Sequence, residues 1–427
     1  MLATSLFLLF ALVLLSITVA ASLGLLGLIL GEIFSPMPLY RGLADILWVN
    51  SIEFLLLAIP LFVFMGEVLL RSGIASRMYE ALTKWLAWLP GGLMHTNVGA
   101  SALFAATSGS SVATAATIGT VALPEAESRG YNERLFLGSL TSGGTLGILI
   151  PPSINLIIFG LLTNTSVPDL YMAGLVPGLV MASIFALTVL LACLLRPAWG
   201  GERIRCTWQD RFAALPELIP PVVIFVLVVG SIYGGLATPT EAAALGVVGA
   251  LLLAAARKAL SWQMLLAAAE ATMRTTAMVM LIVLAAMFLN FVLGVIGLTQ
   301  ALANFVAQLG WSPTAMMFAI VVFYLILGCF LETLSMLITT APLITPIVIG
   351  LGFDPVWFGV LMMVLLEMAL LTPPIGINLY VVQSVRRRGA MTDVVIGTLP
   401  FLAAMLVMVV LLIMFPGIAL WLPEALG

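Results

Sequence analysis

Two stretches of this 427-residue chain nearly repeat each other: GILIPPSINLIIFG around Pro151 and Pro152, and ALLTPPIGINLYVV around Pro373 and Pro374. A Pro-Pro pair removes two backbone donors and clashes with the preceding turn, breaking a helix at about 3 kcal/mol or more per proline. The break leaves carbonyl oxygens free, and a hard cation prefers oxygen ligands. Hydroxyls precede each pair at a similar distance. Ser108, Gly109, Ser110 and Ser111, with Thr107 and Thr114 beside them, come before the first pair, and Thr333 and Ser335 before the second. From Ser110 to Pro151 is 41 residues, and from Ser335 to Pro373 is 38. The first oxygen-rich site is therefore expected at Ser108 to Ser111. The second combines Thr372, Pro373, Gly376 and Asn378 with Thr333 and Ser335 opposite. Asn155 and Asn378 each follow their proline pair by about one helical turn, and each could present an amide to an ion or a substrate. The residues expected to meet a substrate are Ser110, Thr114, Pro151, Asn155, Ser335 and Asn378.

Each of these residues also has a plainer reading. Four small residues at a tip let helices pack closely in a membrane, and either Asn could merely satisfy backbone opened by the prolines. Glu332 and Glu367 stand in apolar surroundings, where ionisable groups are expensive and usually functional. Either could bind a proton or a cation, or could pair with a basic residue such as Arg274. Glu241 closes TPTE from Thr238, which fits a capping box with Pro239 at the first helical position. His95 is the only histidine, and Cys193, Cys206 and Cys329 are far apart in sequence, so neither a metal cluster nor a disulfide framework is indicated.

The surrounding elements are set by the solvent. With 63% hydrophobic and 8% charged residues, against about 25% charged in a soluble domain, the chain is an all-α integral membrane protein. Apolar runs near the roughly 20 residues that span a bilayer cover Leu6 to Leu30, Ile52 to Leu70, Leu135 to Leu162, Leu170 to Leu195, Leu218 to Ile232, Ala242 to Ala256, Ala277 to Ile296, Met316 to Leu331, Val356 to Val382 and Val394 to Leu422. The first run lacks a basic leader and is longer than a secretory core, so it is expected to be a retained helix.

Basic clusters at Arg71, Arg77 and Lys84; Arg129 and Arg134; Arg196, Arg203, Arg205 and Arg211; Arg257, Lys258 and Arg274; and Arg386 to Arg388 mark cytoplasmic segments. That places Met1 inside and Gly427 outside. Residues 91–128 around TSGSS then form a re-entrant hairpin entered from the cytoplasm, and residues 312–352 around ETLSM one entered from the opposite side. Each half reads as two helices, an interfacial segment, a hairpin, a Pro-broken helix and a last helix, in inverted orientations. In the first half the interfacial segment is ASRMYEALTKWLAWLPGG, with charges on one side and aromatics on the other, as in an amphipathic surface helix. The resulting division is 1–90, scaffold and arm; 91–195, hairpin, broken helix and last helix; 196–239, cytoplasmic linker and linking helix; 240–311, second scaffold and arm; and 312–427, second hairpin, broken helix and last helix. Interrupted helices at matching positions of inverted halves point to a transporter's midplane site.

Several segments carry a family resemblance: SGSSVATAATIG at 108–119, LGILIPPSINLIIFG at 146–160, PTEAAA at 239–244, DPVWFGV at 354–360 and LLTPPIGINLYV at 370–381. Together they resemble the large membrane subunit of the tripartite ATP-independent periplasmic (TRAP) transporters, over nearly the whole chain. Around the glutamate before Thr-Pro-Pro, where many relatives have Asn and Gly, this chain has Leu365 and Ala369. The resemblance implies an inverted-repeat elevator in the bacterial inner membrane, importing an organic acid, usually a carboxylate, by sodium coupling. Its partners would be a small four-helix membrane subunit and a periplasmic binding protein. Sodium would be the cation at the oxygen-rich sites, with no other cofactor.

Two other classes compete. An intramembrane serine hydrolase would need a base within hydrogen-bond reach of a serine, and beyond His95 nothing marks one. A channel also uses re-entrant loops, but two broken helices in inverted halves favour alternating access.

Overall fold

The computed structural model describes residues 4–426 except Leu6, Leu9, Phe10, Val13, Leu14, Ser16, Arg203 and Arg205. The expectations for Met1, Leu6, Arg203, Arg205 and Gly427 lie outside the described residues. The described chain is helical, apart from a single bridge between Tyr131 and Gly200. Among the described residues six helices are long and apolar enough to cross a membrane, or seven if the bent pair 208–217 and 219–233 is one span.

Apart from Leu43–Ser51 in the first half and Gly417–Leu426 in the second, the two halves run through corresponding α-helices in the same order. The first has two scaffold helices, Val19–Phe34 and Ala58–Arg71, an arm, Ile74–Leu86, and a hairpin of Leu93–Ser108 and Ser111–Glu127. Its broken helix, Glu133–Thr145 and Ile154–Thr163, leads to the last helix, Val167–Leu195. The second half repeats this with Pro239–Ala256, Trp262–Val295, the arm Leu298–Gln308, the hairpin Pro313–Gly328 and Thr333–Gly350, the broken helix Pro355–Leu371 and Ile377–Arg386, and Met391–Met414. Between them, Trp208–Ala214 and Ile219–Tyr233 form the bent linking segment. The Thr238 capping box is present, with the Thr238 side chain accepting from the Glu241 amide and the Glu241 carboxylate accepting from the Thr238 amide.

Packing follows a pseudo-twofold exchange. The second helix of each hairpin lies against the first segment of its own half's broken helix and against the second segment of the other half's: Ser111–Glu127 on Ile377–Arg386, and Thr333–Gly350 on Ile154–Thr163. Each broken helix's first segment also packs on the last helix of the other half, Glu133–Thr145 on Met391–Met414 and Pro355–Leu371 on Val167–Leu195. In the scaffold, Val19–Phe34 meets Trp262–Val295 as Pro239–Ala256 meets Ala58–Arg71. The hairpins and broken helices of the two halves are thus interwoven, and the scaffold helices of the two halves pack on each other. An apolar cavity of about 390 Å³ lies where the scaffold and second arm face the second hairpin, lined by residues such as Leu30, Leu293, Phe305 and Ile320.

One face of the molecule collects the buried Arg386, which donates to Glu133 and Asp393, and Arg134, which also binds Asp393. These contacts tie residues of the first half to the second and gather segments that the basic clusters place on one side. Arg257 and Glu217 form another pair in that set.

Three details differ from the hydropathy reading. The Leu6 to Leu30 run is not one helix, because Ile17 and Thr18 are non-helical and the described helix begins at Val19. The Ala277 to Ile296 run is the end of a 34-residue helix that starts at Trp262; Glu270 and Arg274 dilute its hydropathy without interrupting it. Arg274 therefore sits within this helix, and it binds Glu270 one turn earlier at 2.7 Å, an i,i+4 pairing. It pairs with neither Glu332 nor Glu367.

Candidate functional site: two hairpin tips and two broken helices

At the first tip the chain leaves Leu93–Ser108 through Gly109, whose φ of 60° is left-handed, a conformation that glycine adopts at no steric cost. A Cβ on Gly109 would stand 2.8 Å from the Pro152 carbonyl oxygen, so the tip lies directly on the first break. Gly147 completes the fit from the other side: a Cβ there would come within 2.9 Å of the Ser110 carbonyl carbon and the Ser111 nitrogen. Ser110 caps the helix that follows, its hydroxyl accepting from the Ala113 amide. Thr114 donates to the Ser110 carbonyl at 2.7 Å and lies 3.1 Å from the Ser108 hydroxyl, while Ser111 donates to the Thr145 carbonyl. Hydroxyl and carbonyl oxygens from residues 108–114 thus converge where backbone is irregular. Such backbone is tolerated at membrane depth only when buried in protein or lining a wet cavity.

The first break extends from Leu146 to Ser153, beginning well before the prolines. Gly143, Gly144 and Gly147 explain this, since glycine costs about 1 kcal/mol relative to alanine in a helix. The whole stretch 151–160 is buried. Ser153 donates to the Ile148 carbonyl, folding the break back on itself, and Tyr171 donates to the Ser153 carbonyl at 3.3 Å.

The second tip is organised differently. Glu332 is the N-cap of Thr333–Gly350 and accepts from the Leu334 and Ser335 amides. The hydroxyls of Thr333 and Ser335 also donate to its carboxylate, at 2.9 and 3.1 Å. These two hydroxyls are therefore engaged by the glutamate of their own tip. Thr339 in turn donates to the Ser335 carbonyl. No hydrogen bond joins this tip to the second break among the described residues. That break runs only from Thr372 to Gly376, with Thr372 donating to the Met368 carbonyl and Tyr380 to the Pro374 carbonyl. Pro373, Pro374 and Ile375 are exposed.

Asn155 and Asn378 occupy equivalent places, each the second residue of the helix that resumes after its break. Both are buried. Asn378 donates to the Thr141 carbonyl at 3.4 Å, crossing into the other half, and its side-chain oxygen has no partner among the described residues. The structure therefore brings Ser108, Gly109, Ser110, Ser111, Thr114 and the first proline pair together. It gathers Thr333 and Ser335 around Glu332, and directs Asn378 toward the first half.

Sequence reasoning missed a buried chain of bonds behind the first tip. Tyr79 of the arm donates to Asn97 of the hairpin at 2.7 Å, and Asn97 donates to Ser139 of the broken helix at 2.9 Å. The arm is thus fastened to the hairpin rather than simply lying on a surface; its Trp85 also donates to the Arg211 carbonyl. A tyrosine on the buried side of an amphipathic segment was the available signal.

Comparisons with known proteins bear on the whole architecture. The family model described as "Tripartite ATP-independent periplasmic transporter, DctM component" matches residues 6–418. The chain is 33% identical to the C4-dicarboxylate TRAP transporter large permease protein DctM of Rhodobacter capsulatus, over 98% of each chain. It is 34% identical to the Pseudomonas aeruginosa protein of the same name, over 95% of this chain and 94% of that one. It is 31% identical to the sialic acid TRAP transporter large permease protein SiaM of Vibrio cholerae, over 92% of this chain and 96% of that one. Among solved structures, the Alcanivorax borkumensis YdaH transporter shares the fold, with a TM-score of 0.64 at 15% identity, covering 95% of this chain and 98% of that one.

Proposed function

This chain belongs to the tripartite ATP-independent periplasmic transporter family as its large, DctM-type membrane component, and on that premise we propose that it imports an organic acid across the bacterial inner membrane in symport with sodium. The observation that carries the reading is the seating of the first hairpin tip on the first helix break, where hydroxyls and freed carbonyls converge on buried irregular backbone. The sodium ligands are drawn from Ser108, Gly109, Ser110, Ser111 and Asn155 in the first half, and from Thr333, Ser335, Thr372, Pro373, Gly376 and Asn378 in the second. The substrate, a carboxylate such as a C4-dicarboxylate or a sugar acid, meets Ser110, Thr114, Pro151, Asn155, Ser335 and Asn378. The interwoven hairpins and broken helices are the mobile unit of an elevator sliding against the scaffold helices, with the N-terminus cytoplasmic and the C-terminus periplasmic. A periplasmic binding protein delivers the substrate, and a small four-helix membrane subunit completes the permease.

The energetics favour more than one ion. Moving one charge across 100 mV is worth about 2.3 kcal/mol, so a dianion entering a negative interior meets about 4.6 kcal/mol. Two sodium ions cancel that term, and a tenfold gradient of each then supports about a hundredfold accumulation. The test is uptake into proteoliposomes holding this chain and its small subunit, with binding protein loaded from a panel of C4-dicarboxylates and sugar acids. The expected result is uptake that requires sodium with a Hill coefficient above one, ignores ATP and fails without either partner. Sodium-independent uptake of free substrate by this chain alone would overturn the reading.

A further inference from the structure

Glu367 is the only carboxylate among the described residues whose side chain is wholly buried, at 0% exposure. It lies on Pro355–Leu371, one turn before the second break, among the interwoven hairpins and broken helices. Its carboxyl faces the Leu149 amide and the Thr145 hydroxyl of the first break, and among the described residues neither oxygen has a hydrogen bond of good geometry. The Thr145 hydroxyl is already donated to the Ser142 carbonyl.

Nothing on the neighbouring elements neutralises it. Among the titratable groups on the helices packed against Pro355–Leu371, Glu133, Arg134, Arg386 and Asp393 are joined in one ion cluster. Tyr171, Tyr324 and Tyr380 donate to the Ser153 carbonyl, the Thr340 hydroxyl and the Pro374 carbonyl. Glu332 is the N-cap of its own hairpin helix, while Asp169, Cys193 and Glu424 stand near helix ends. No Arg, Lys or His among the described residues pairs with Glu367. A buried ionised carboxylate with no cation beside it is too costly to persist and neutralises instead.

We propose that Glu367 is a proton-binding site of the mobile unit. The carboxylate takes one proton from the aqueous phase, forming a single O–H bond, and holds it while the two breaks are packed together. In the neutral form it allows the second broken helix to pack against the first break; a charge there would drive the two apart. The proton site rests on the transporter reading only for its effect on uptake, not for the protonation itself.

The protonation is read by infrared spectroscopy of the complete permease in hydrated bilayers, with glutamate isotopically labelled. A protonated-carboxyl band is expected at neutral pH in the wild type and absent from Glu367→Gln, a neutral isostere. Its absence from the wild type overturns the proposal whether or not the variant inserts, and independently of any transport assay. In sodium-driven uptake, wild-type activity should fall about tenfold per pH unit above the titration point of the site. Glu367→Gln, assayed with the same partners, should lose that alkaline limb and stay within about twofold of wild type at neutral pH. An inserted Glu367→Gln protein that loses sodium-dependent uptake, or keeps the wild-type alkaline limb, overturns the proposal as well.

Discussion

The two helix breaks have almost the same sequence and different surroundings. At the first, Pro151 and Pro152 are buried and the opposing tip sits within contact distance of them. At the second, Pro373, Pro374 and Ile375 are exposed and the opposing tip is bound up with its own glutamate. Tip residues account for the difference. Ser110 and Gly109 leave backbone that can approach another segment closely, whereas Glu332 draws the amides and hydroxyls of its tip inward. An inverted repeat therefore gives two corresponding breaks without giving them the same surroundings.

The strongest test of this contrast is Gly147→Val. Its side chain must enter space held by the Ser110 backbone, and overpacking of about 1–3 kcal/mol lowers occupancy of the first site by up to about a hundredfold. Sodium-dependent uptake in proteoliposomes should fall accordingly while the protein stays inserted. Near wild-type uptake would mean that the tip need not seat on the break.

Accessibility gives the next largest effect. With Cys193, Cys206 and Cys329 replaced, a hydrophilic thiol reagent should label Ile375→Cys at least about tenfold faster than Ser153→Cys, because a buried thiol reacts only through local opening. Equal rates would erase the asymmetry.

Pro373→Ala should let the second helix continue and withdraw a freed carbonyl. A loss of about 1 kcal/mol, the scale of one hydrogen bond, corresponds to about fivefold weaker apparent sodium affinity. An unchanged sodium dependence would remove the second break from the coupling path. The smallest effect is expected from Glu332→Ala, which removes an N-cap at a cost of about 1 kcal/mol. The thermal midpoint should drop by a few degrees, and a larger loss of sodium binding than of stability would show that Glu332 does more than cap.

Much of this was legible because prolines and re-entrant tips act locally. The breaks, both hairpins, the capping box at Thr238 and the order of elements in the two halves follow from residue type and spacing. Contacts between distant segments were not legible. Asn378 bonds to Thr141, 237 positions away, and nothing near either residue signals the other. The upstream reach of the first break was written in Gly143, Gly144 and Gly147, but the proline pair is the louder signal. Arg274 reads from the sequence only as part of a basic cluster, because charge lowers hydropathy, although Glu270 four residues earlier is the pattern of a helical ion pair. The capping role of Glu332 is not legible in the sequence, because its partners, the amides of residues 334 and 335, carry no sequence signature.

The exchange of segments between halves also sets an order of events during synthesis. Thr141 leaves the ribosome 237 residues before Asn378, and at about 5–20 residues per second that is a delay of roughly 12–47 s. During that time the polar interior of the first half sits in the bilayer without the helix that will cover it. The first half must therefore be held by the insertion machinery, or stay partly out of lipid, until the last third of the chain arrives. A newborn chain stalled before residue 378 should accordingly be far more sensitive to membrane proteases than one released after residue 414.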